Sequence, residues 1–178
     1  MHSLINTLSK NELFAYPTEG IWGLGGYSYN EEVAKALSSL KKRPPTQPLI
    51  CITSIEKHIL EWIDFAKLTH LQKRFYDEHK HSFITFLLPA SANVPEHCIF
   101  QGKVALRVTD HPVINKICNH FSAPIFSTSV NISGQPPLVT SAAIKQTFPN
   151  LKIIEGQLGG EKKPSALYDL EKDLWLRR

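Results

Sequence analysis

Apolar and polar positions alternate along this 178-residue chain in two different periods, and the period changes often. Short apolar or alternating runs bounded by turn residues predict strands at Glu12–Tyr16 (ELFAY), Pro48–Thr53 (PLICIT), Phe83–Leu88 (FITFLL), Val104–Val108 (VALRV) and Ile125–Thr128. Further short strands are predicted at Lys152–Ile154, Ala166–Leu170 and Leu174–Leu176. Helical spacing appears elsewhere. Val33, Ala36, Leu37 and Leu40 follow Asn30, which reads as an N-cap with Glu31 and Glu32 in the first turn. That helix must stop at KKRPP, where two prolines forbid continuation. Helices are also predicted over Ile55–Ile63, Phe65–Glu78, His111–Phe121 and Ser141–Phe148, the last introduced by Thr140. In the third of these, Val113, Ile114, Ile117 and Cys118 form the inner face. Leu4, Ile5 and Leu8 predict a short N-terminal helix, and Pro17–Asn30, rich in glycine, is expected as a loop.

Strands and helices interleave, so the predicted class is α/β (α+β), a single twisted mixed sheet with flanking helices. The length suits one domain over residues 1–178. Apolar residues make up 42% of the chain, enough for a sizeable core. No apolar run reaches a membrane span, and the N-terminus lacks the basic and apolar blocks of a secretory signal. The three cysteines, Cys51, Cys98 and Cys118, are far apart and odd in number, which predicts buried free thiols in a reducing cytoplasm. Eight histidines are scattered without HExxH or CxxC spacing, so no dedicated metal site is expected. The net charge of +4 is mild, compatible with an anionic ligand, an RNA contact or an ordinary surface.

Four loops carry more polar groups than a turn requires. YPTEGIWGLGG combines glycines with Thr18 and Glu19 but matches neither standard phosphate-loop fingerprint. Lys41, Lys42 and Arg43 sit at a helix end, where cations suit the dipole and where a stiff cationic cluster also suits a triphosphate. In RVTDHP, Val108 should face the core and Arg107 the opposite side, with His111 opening the next helix and a capping box around Asp110 as the plainer reading. STSVNISG leaves an apolar strand through Ser127, Thr128, Ser129 and Asn131 before Gly134 turns the chain. Ligands of open α/β sheets bind at such strand ends. No serine has the setting of a nucleophile, so these loops suit anion binding and charge stabilisation better.

Taken in order, AYPTEGIWGLGG, LKKRPPTQPL, FITFLLP, VALRVTDHP, STSVNISGQPP, GQLGGEKKPSALYD and LWLRR resemble the YrdC-like family, in particular its bacterial threonylcarbamoyl-AMP synthases. The resemblance runs almost end to end. It implies a basic concave groove, no appended C-terminal domain, and a nucleotidyltransferase that joins L-threonine, bicarbonate and ATP into threonylcarbamoyl-AMP and pyrophosphate. Mg²⁺ would arrive with ATP, without metal ligands from the protein. The product would feed a separate transferase complex that modifies tRNA adenosine, which implies a cytoplasmic protein and a contact with tRNA. The family's KxR…SxN signature falls on Lys41, Arg43, Ser129 and Asn131, with Lys41 and Arg43 in the catalytic role. By the same resemblance Arg107, Ser127 and Arg177 join these four around ATP, while Thr18, His111 and Ser165 face threonine.

The chain departs from the family in several places. A second threonine of the PTET loop is Gly20, and the PGP segment before the TF strand is replaced by HKHSF, where His79 or His81 would supply a wall. The usual ST[IV] reads Ser165-Ala166-Leu167, and Ile52 stands where longer relatives carry histidine. The competing reading is a non-catalytic module for double-stranded RNA or tRNA, with Trp22, Tyr27 and Tyr29 stacking on bases. A third reading keeps the adenylate chemistry with carbamoyl phosphate in place of threonine, as in much longer carbamoyl-transfer proteins. The loop Gln157–Lys163 reads as a lid or a solvated connector.

Overall fold

A computed structural model describes residues 2–41, 49–132, 134–161 and 163–178. Arg43, Lys42 and the prolines that follow therefore lie outside the described residues. Short helix α1 (His2–Ile5) leads into strands β1 (Phe14–Pro17) and β2 (Trp22–Gly25), then helix α2 (Glu31–Leu40) and strand β3 (Ile50–Thr53). Helix α3 (His70–His79) precedes β4 (Ile84–Pro89), β5 (Ile99–Phe100) and β6 (Lys103–Val108). Helix α4 (Pro112–Phe121), β7 (Ile125–Ser129), α5 (Ser141–Thr147), β8 (Lys152–Ile153), β9 (Ala166–Asp169) and β10 (Leu174–Arg177) complete the order.

The strands form a sheet in the order β10-β9-β4-β6-β3-β7-β2-β1-β8, with β5 paired to the start of β6. β1 with β8, β3 with β6 and β4 with β9 are parallel, and the other pairs are antiparallel. This is the mixed α/β sheet that the alternating periods predict. Side-chain alternation then divides the core into two layers. On one face Cys51, Phe86, Leu106, Val108 and Phe126 pack with Val33 and Leu37 of α2 and Tyr76 of α3. On the other face Phe14, Tyr16, Ile52 and Ile125 pack with Val113, Ile114, Ile117 and Cys118 of α4. Burying one such aliphatic side chain contributes about 1.5–3 kcal/mol.

Helix α2 begins where its cap dictates. The Asn30 side chain accepts from the backbone N–H of Glu32 (2.9 Å) and Val33 (3.4 Å), and its amide reaches back to the Lys10 carbonyl. α4 starts with Pro112 at its first turn, and its cap differs from expectation. His111 holds the cap position, and its backbone N–H donates to Thr109 Oγ1 at 3.1 Å in place of a box around Asp110. The three cysteines are buried and free, as expected.

Two segments depart from the predicted elements. The expected loop 17–30 contains β2, because its glycines serve close packing rather than turning. A Cβ on Gly25 would lie 2.0 Å from the Phe126 carbonyl oxygen, and one on Gly23 would lie 2.9 Å from the Tyr16 ring. The region 55–67 is three 3-10 turns, Glu56–His58, Leu60–Trp62 and Phe65–Lys67, instead of α-helix. Each turn closes on itself by bonds such as Ile59 N to Glu56 O and Trp62 N to Ile59 O, and the segment is tied to the end of β4, where Asp64 N donates to Pro89 O and Ser91 N to Trp62 O. Helix α3 begins only at Thr69, which forms a capping box with Gln72. Replacing Gly25 by alanine should force β2 away from β7 and cost about 1–3 kcal/mol, read as a lowered urea midpoint.

Candidate functional site

The site grows from strand alternation in the middle of the sheet. In β6, Val104, Leu106 and Val108 join one core layer, so Arg107 emerges on the opposite face beside Ile52 of β3. On that face α4 covers Ile52 and Ile125, while Ile50 pairs with Ser127 further along the same two strands. Ile50 and Ser127 are thus left to line a cavity of ≈ 300 Å³. Its cations are Lys41, Arg107 and Arg177, and no carboxylate is among its described lining residues. The hydroxyls of Thr18, Thr85, Ser127, Thr128, Ser129 and Ser165 and the amide of Asn131 complete its polar wall. Ile21, Ile50, Phe83, Gly134 and Pro164 supply the remainder.

Lys41 joins two distant segments. It caps the C-terminus of α2, and its Nζ donates to the Ser129 carbonyl at 2.7 Å, to Ser129 Oγ at 3.3 Å and to Asn131 Oδ1. Ser129 Oγ also donates to Asn131 Oδ1 at 2.6 Å, while Asn131 Nδ2 donates to the carbonyls of Ile132 (3.0 Å) and Gln135 (2.6 Å). The loop after β7 is therefore tied both to the end of α2 and to itself. Across the cavity the Thr85 and Ser165 hydroxyls lie 2.8 Å apart, and Arg177 Nε donates to the Ser165 carbonyl at 2.9 Å.

Arg107 is 6% exposed, and a buried guanidinium requires a partner. Nη2 meets Glu19 Oε2, and the guanidinium carbon lies 4.4 Å from the centre of the Phe83 ring. Glu19 Oε1 accepts from Thr109 Oγ1. Burial pushes the Glu19 carboxyl up, but the Arg107 charge and the hydrogen bond from Thr109 outweigh it and hold the group below its ordinary range. Thr18 Oγ1 donates to the Ile21 carbonyl at 2.7 Å, which shapes the turn carrying Glu19. Backbone bonds from Gly159 N to Thr18 O and from Glu161 N to Glu19 O fasten the 157–163 loop onto this turn.

Of the residues singled out from sequence, the cavity gathers Thr18, Lys41, Arg107, Ser127, Ser129, Asn131, Ser165 and Arg177. His111 is not part of its lining. Its Nε2 faces the Gln157 carbonyl at 3.1 Å, and burial lowers its pKa from the ordinary value despite that bond and the Glu19 charge. Arg43 lies outside the described residues. Neither His79 nor His81 supplies a wall: His79 stacks on Phe75 and His81 meets Asp110, while Phe83 takes that place. Gly20 also has a packing reason, since a Cβ there would lie 2.4 Å from the Lys163 carbonyl oxygen and 3.1 Å from Phe83 Cζ. Trp22 is buried, and Tyr29 packs on Tyr27 and Trp62.

Sequence reading missed Thr85 and Phe83 as lining residues. Alternation held the signal: Phe86 belongs to the core, so Thr85 must face the other way, toward the side that carries Arg107. The pairing of Glu19 with Arg107 had no signal in the sequence, because it joins a turn to a strand far along the chain.

Known proteins share the sequence and the fold of this chain. The Sua5/YciO/YrdC family model, described as Telomere recombination, matches residues 6–178. A threonylcarbamoyl-AMP synthase of Vibrio parahaemolyticus is 35% identical over 98% of this chain and 96% of its own. The crystal structure of P. abyssi Sua5 complexed with L-threonine aligns at 25% identity with a TM-score of 0.77, covering 94% of this chain and 49% of that one, so the present chain spans about half of its length. E. coli YciO, at 19% identity and a TM-score of 0.85, shares the fold over 100% of this chain and 90% of its own.

The two depressed groups fix a pH dependence. Each has a folded pKa below its unfolded value, so each contributes stability above the unfolded value and loses it as pH falls through the folded one. His111 titrates first. The melting temperature should fall as pH drops below about 6.5, where the unfolded imidazole takes up its proton, and His111→Gln should flatten part of that fall. His58, also depressed by burial, accounts for a further share.

Proposed function

Because the chain belongs to the Sua5/YciO/YrdC family, we propose that it is a threonylcarbamoyl-AMP synthase acting on L-threonine, bicarbonate and ATP. One observation carries the assignment. Lys41 at a helix end is hydrogen-bonded to Ser129 and Asn131 inside a cavity that also holds Arg107, Arg177 and Ser127. Cations and neutral donors converge there without a carboxylate among the described lining residues, which suits a polyphosphate.

In this reading threonine's amine condenses with bicarbonate to a carbamate, releasing water. A carbamate oxygen then attacks the α-phosphorus of ATP, and the bond to the bridging oxygen breaks to release pyrophosphate. The nucleophile is already an anion, so no strong base is needed. The difficulty is bringing one anion onto another, and Lys41 with Arg43 would screen that repulsion and stabilise charge on the leaving group. Arg107, Ser127, Ser129, Asn131 and Arg177 would hold the nucleotide, with Thr18, His111 and Ser165 on the threonine side. His111 would act from behind the cavity wall. ATP enters as its Mg²⁺ complex. The described residues include no group of three or more carboxylate, histidine or cysteine side chains able to hold a metal, which suits a metal carried on phosphate oxygens.

The product supplies a threonylcarbamoyl group to a transferase that modifies tRNA, and tRNA contact would accompany catalysis. No helix among the described residues is long and apolar enough to cross a membrane, and the free cysteines accord with a cytoplasmic site of action. The test is pyrophosphate release dependent on both threonine and bicarbonate. Lys41→Ala should lower kcat by about 100-fold or more with the helix content unchanged by circular dichroism. Tight tRNA binding without ATP binding would replace the synthase by the RNA module, and activity with carbamoyl phosphate alone would change the acceptor.

A further inference from the structure

Glu19 touches a cation of the cavity without lining the cavity itself. Both of its oxygens are engaged, Oε1 by Thr109 Oγ1 and Oε2 by Arg107 Nη2. The backbone that carries it is anchored as well, its carbonyl accepting from Glu161 N at 2.8 Å. Arg107 is therefore gripped at one end of its fork by Glu19 and on one planar face by Phe83. The contact of Nη2 with Oε2 is charge against charge rather than an aligned hydrogen bond, and Nε is buried with no acceptor among the described residues. The fork is held in direction while its buried Nε stays unspent.

Those two effects of Glu19 oppose each other. A carboxylate beside a guanidinium subtracts from the positive potential that draws an anion in. The same carboxylate removes rotational freedom from a side chain that otherwise has many rotamers, and orientation is what a reacting geometry needs. We infer that Glu19 is a positioning residue, acting through Arg107: it weakens ground-state binding of an anionic substrate and orients the guanidinium for the reaction. This rests on the synthase reading above.

The experiment compares the wild type with Glu19→Gln and Glu19→Asp. Glutamine keeps the reach and the acceptor for Thr109 but removes the charge, whereas aspartate keeps the charge and shortens the reach. Affinities for ATP and for L-threonine are read by titration calorimetry, and kcat by pyrophosphate release. Glu19→Gln should bind at least one of the two substrates about 3-fold or more tightly while kcat falls about 10-fold or more. Glu19→Asp should lose kcat without the gain in affinity. Weaker binding of both substrates in Glu19→Gln, or an unchanged kcat, overturns the inference. Should Glu19→Gln fail to fold, Glu19→Asp and Thr109→Val carry the test. Thr109→Val should lower kcat with both affinities unchanged, and an unchanged kcat in the two overturns the inference. A wild type that releases no pyrophosphate sinks the synthase reading instead, and calorimetry with ATP still decides whether Glu19 holds affinity down.

Discussion

Arg107 rides on a strand hydrogen-bonded on both sides, with an apolar layer beneath it, so its charge can be compensated from one face of the sheet only. That constraint organises much of what surrounds it. Glu19 must come from another element, and the turn that delivers it is shaped by Thr18 and by the backbone of residues 159–161. Phe83 must close the exposed plane of the guanidinium, and Gly20 must lack a side chain so that Phe83 and the Lys163 carbonyl fit. A buried cation is costly unless compensated, and Phe83, which closes over this one, is also a wall of the cavity.

The opposite wall follows a different logic. Lys41 ends α2, where a cation suits the helix dipole, but its ammonium group turns to the loop after β7 and binds Ser129 and Asn131. Ser129 and Asn131, two of the polar groups that overfurnish the STSVNISG stretch, thus hold each other and the lysine together. A stretch that looks redundant for turning the chain is a hydrogen-bonded frame, one that keeps the lysine in place before any anion arrives.

Helices α2 and α4 and strands β4, β6 and β7 were legible because a strong period coincided with local boundary signals such as Asn30 and the prolines. β2 was not, because its glycines answer to Tyr16 and Phe126, residues no local window contains in full. The 3-10 turns at 56–67 were read as helix since apolar residues three apart satisfy both geometries, and the choice was made by bonds to the end of β4. Six of the eight site residues in the cavity were legible through loops too polar for their length, whereas Ser165 and Arg177 were legible only through the family resemblance. Thr85, Phe83 and the role of Glu19 were hidden, because cross-strand neighbours and partners from distant turns leave no mark in local spacing.

The tie between Lys41 and Asn131 spans 90 positions of sequence, and Arg177 closes onto Ser165 at the far edge of the sheet. Chains dominated by such non-local pairings collapse slowly, since loop entropy is lost before the contacts repay it. A growing polypeptide would have to expose β10 before the cavity that Arg177 lines could form. A ligand of this cavity, added during refolding, would consequently trap the folded form without hastening the search that leads to it.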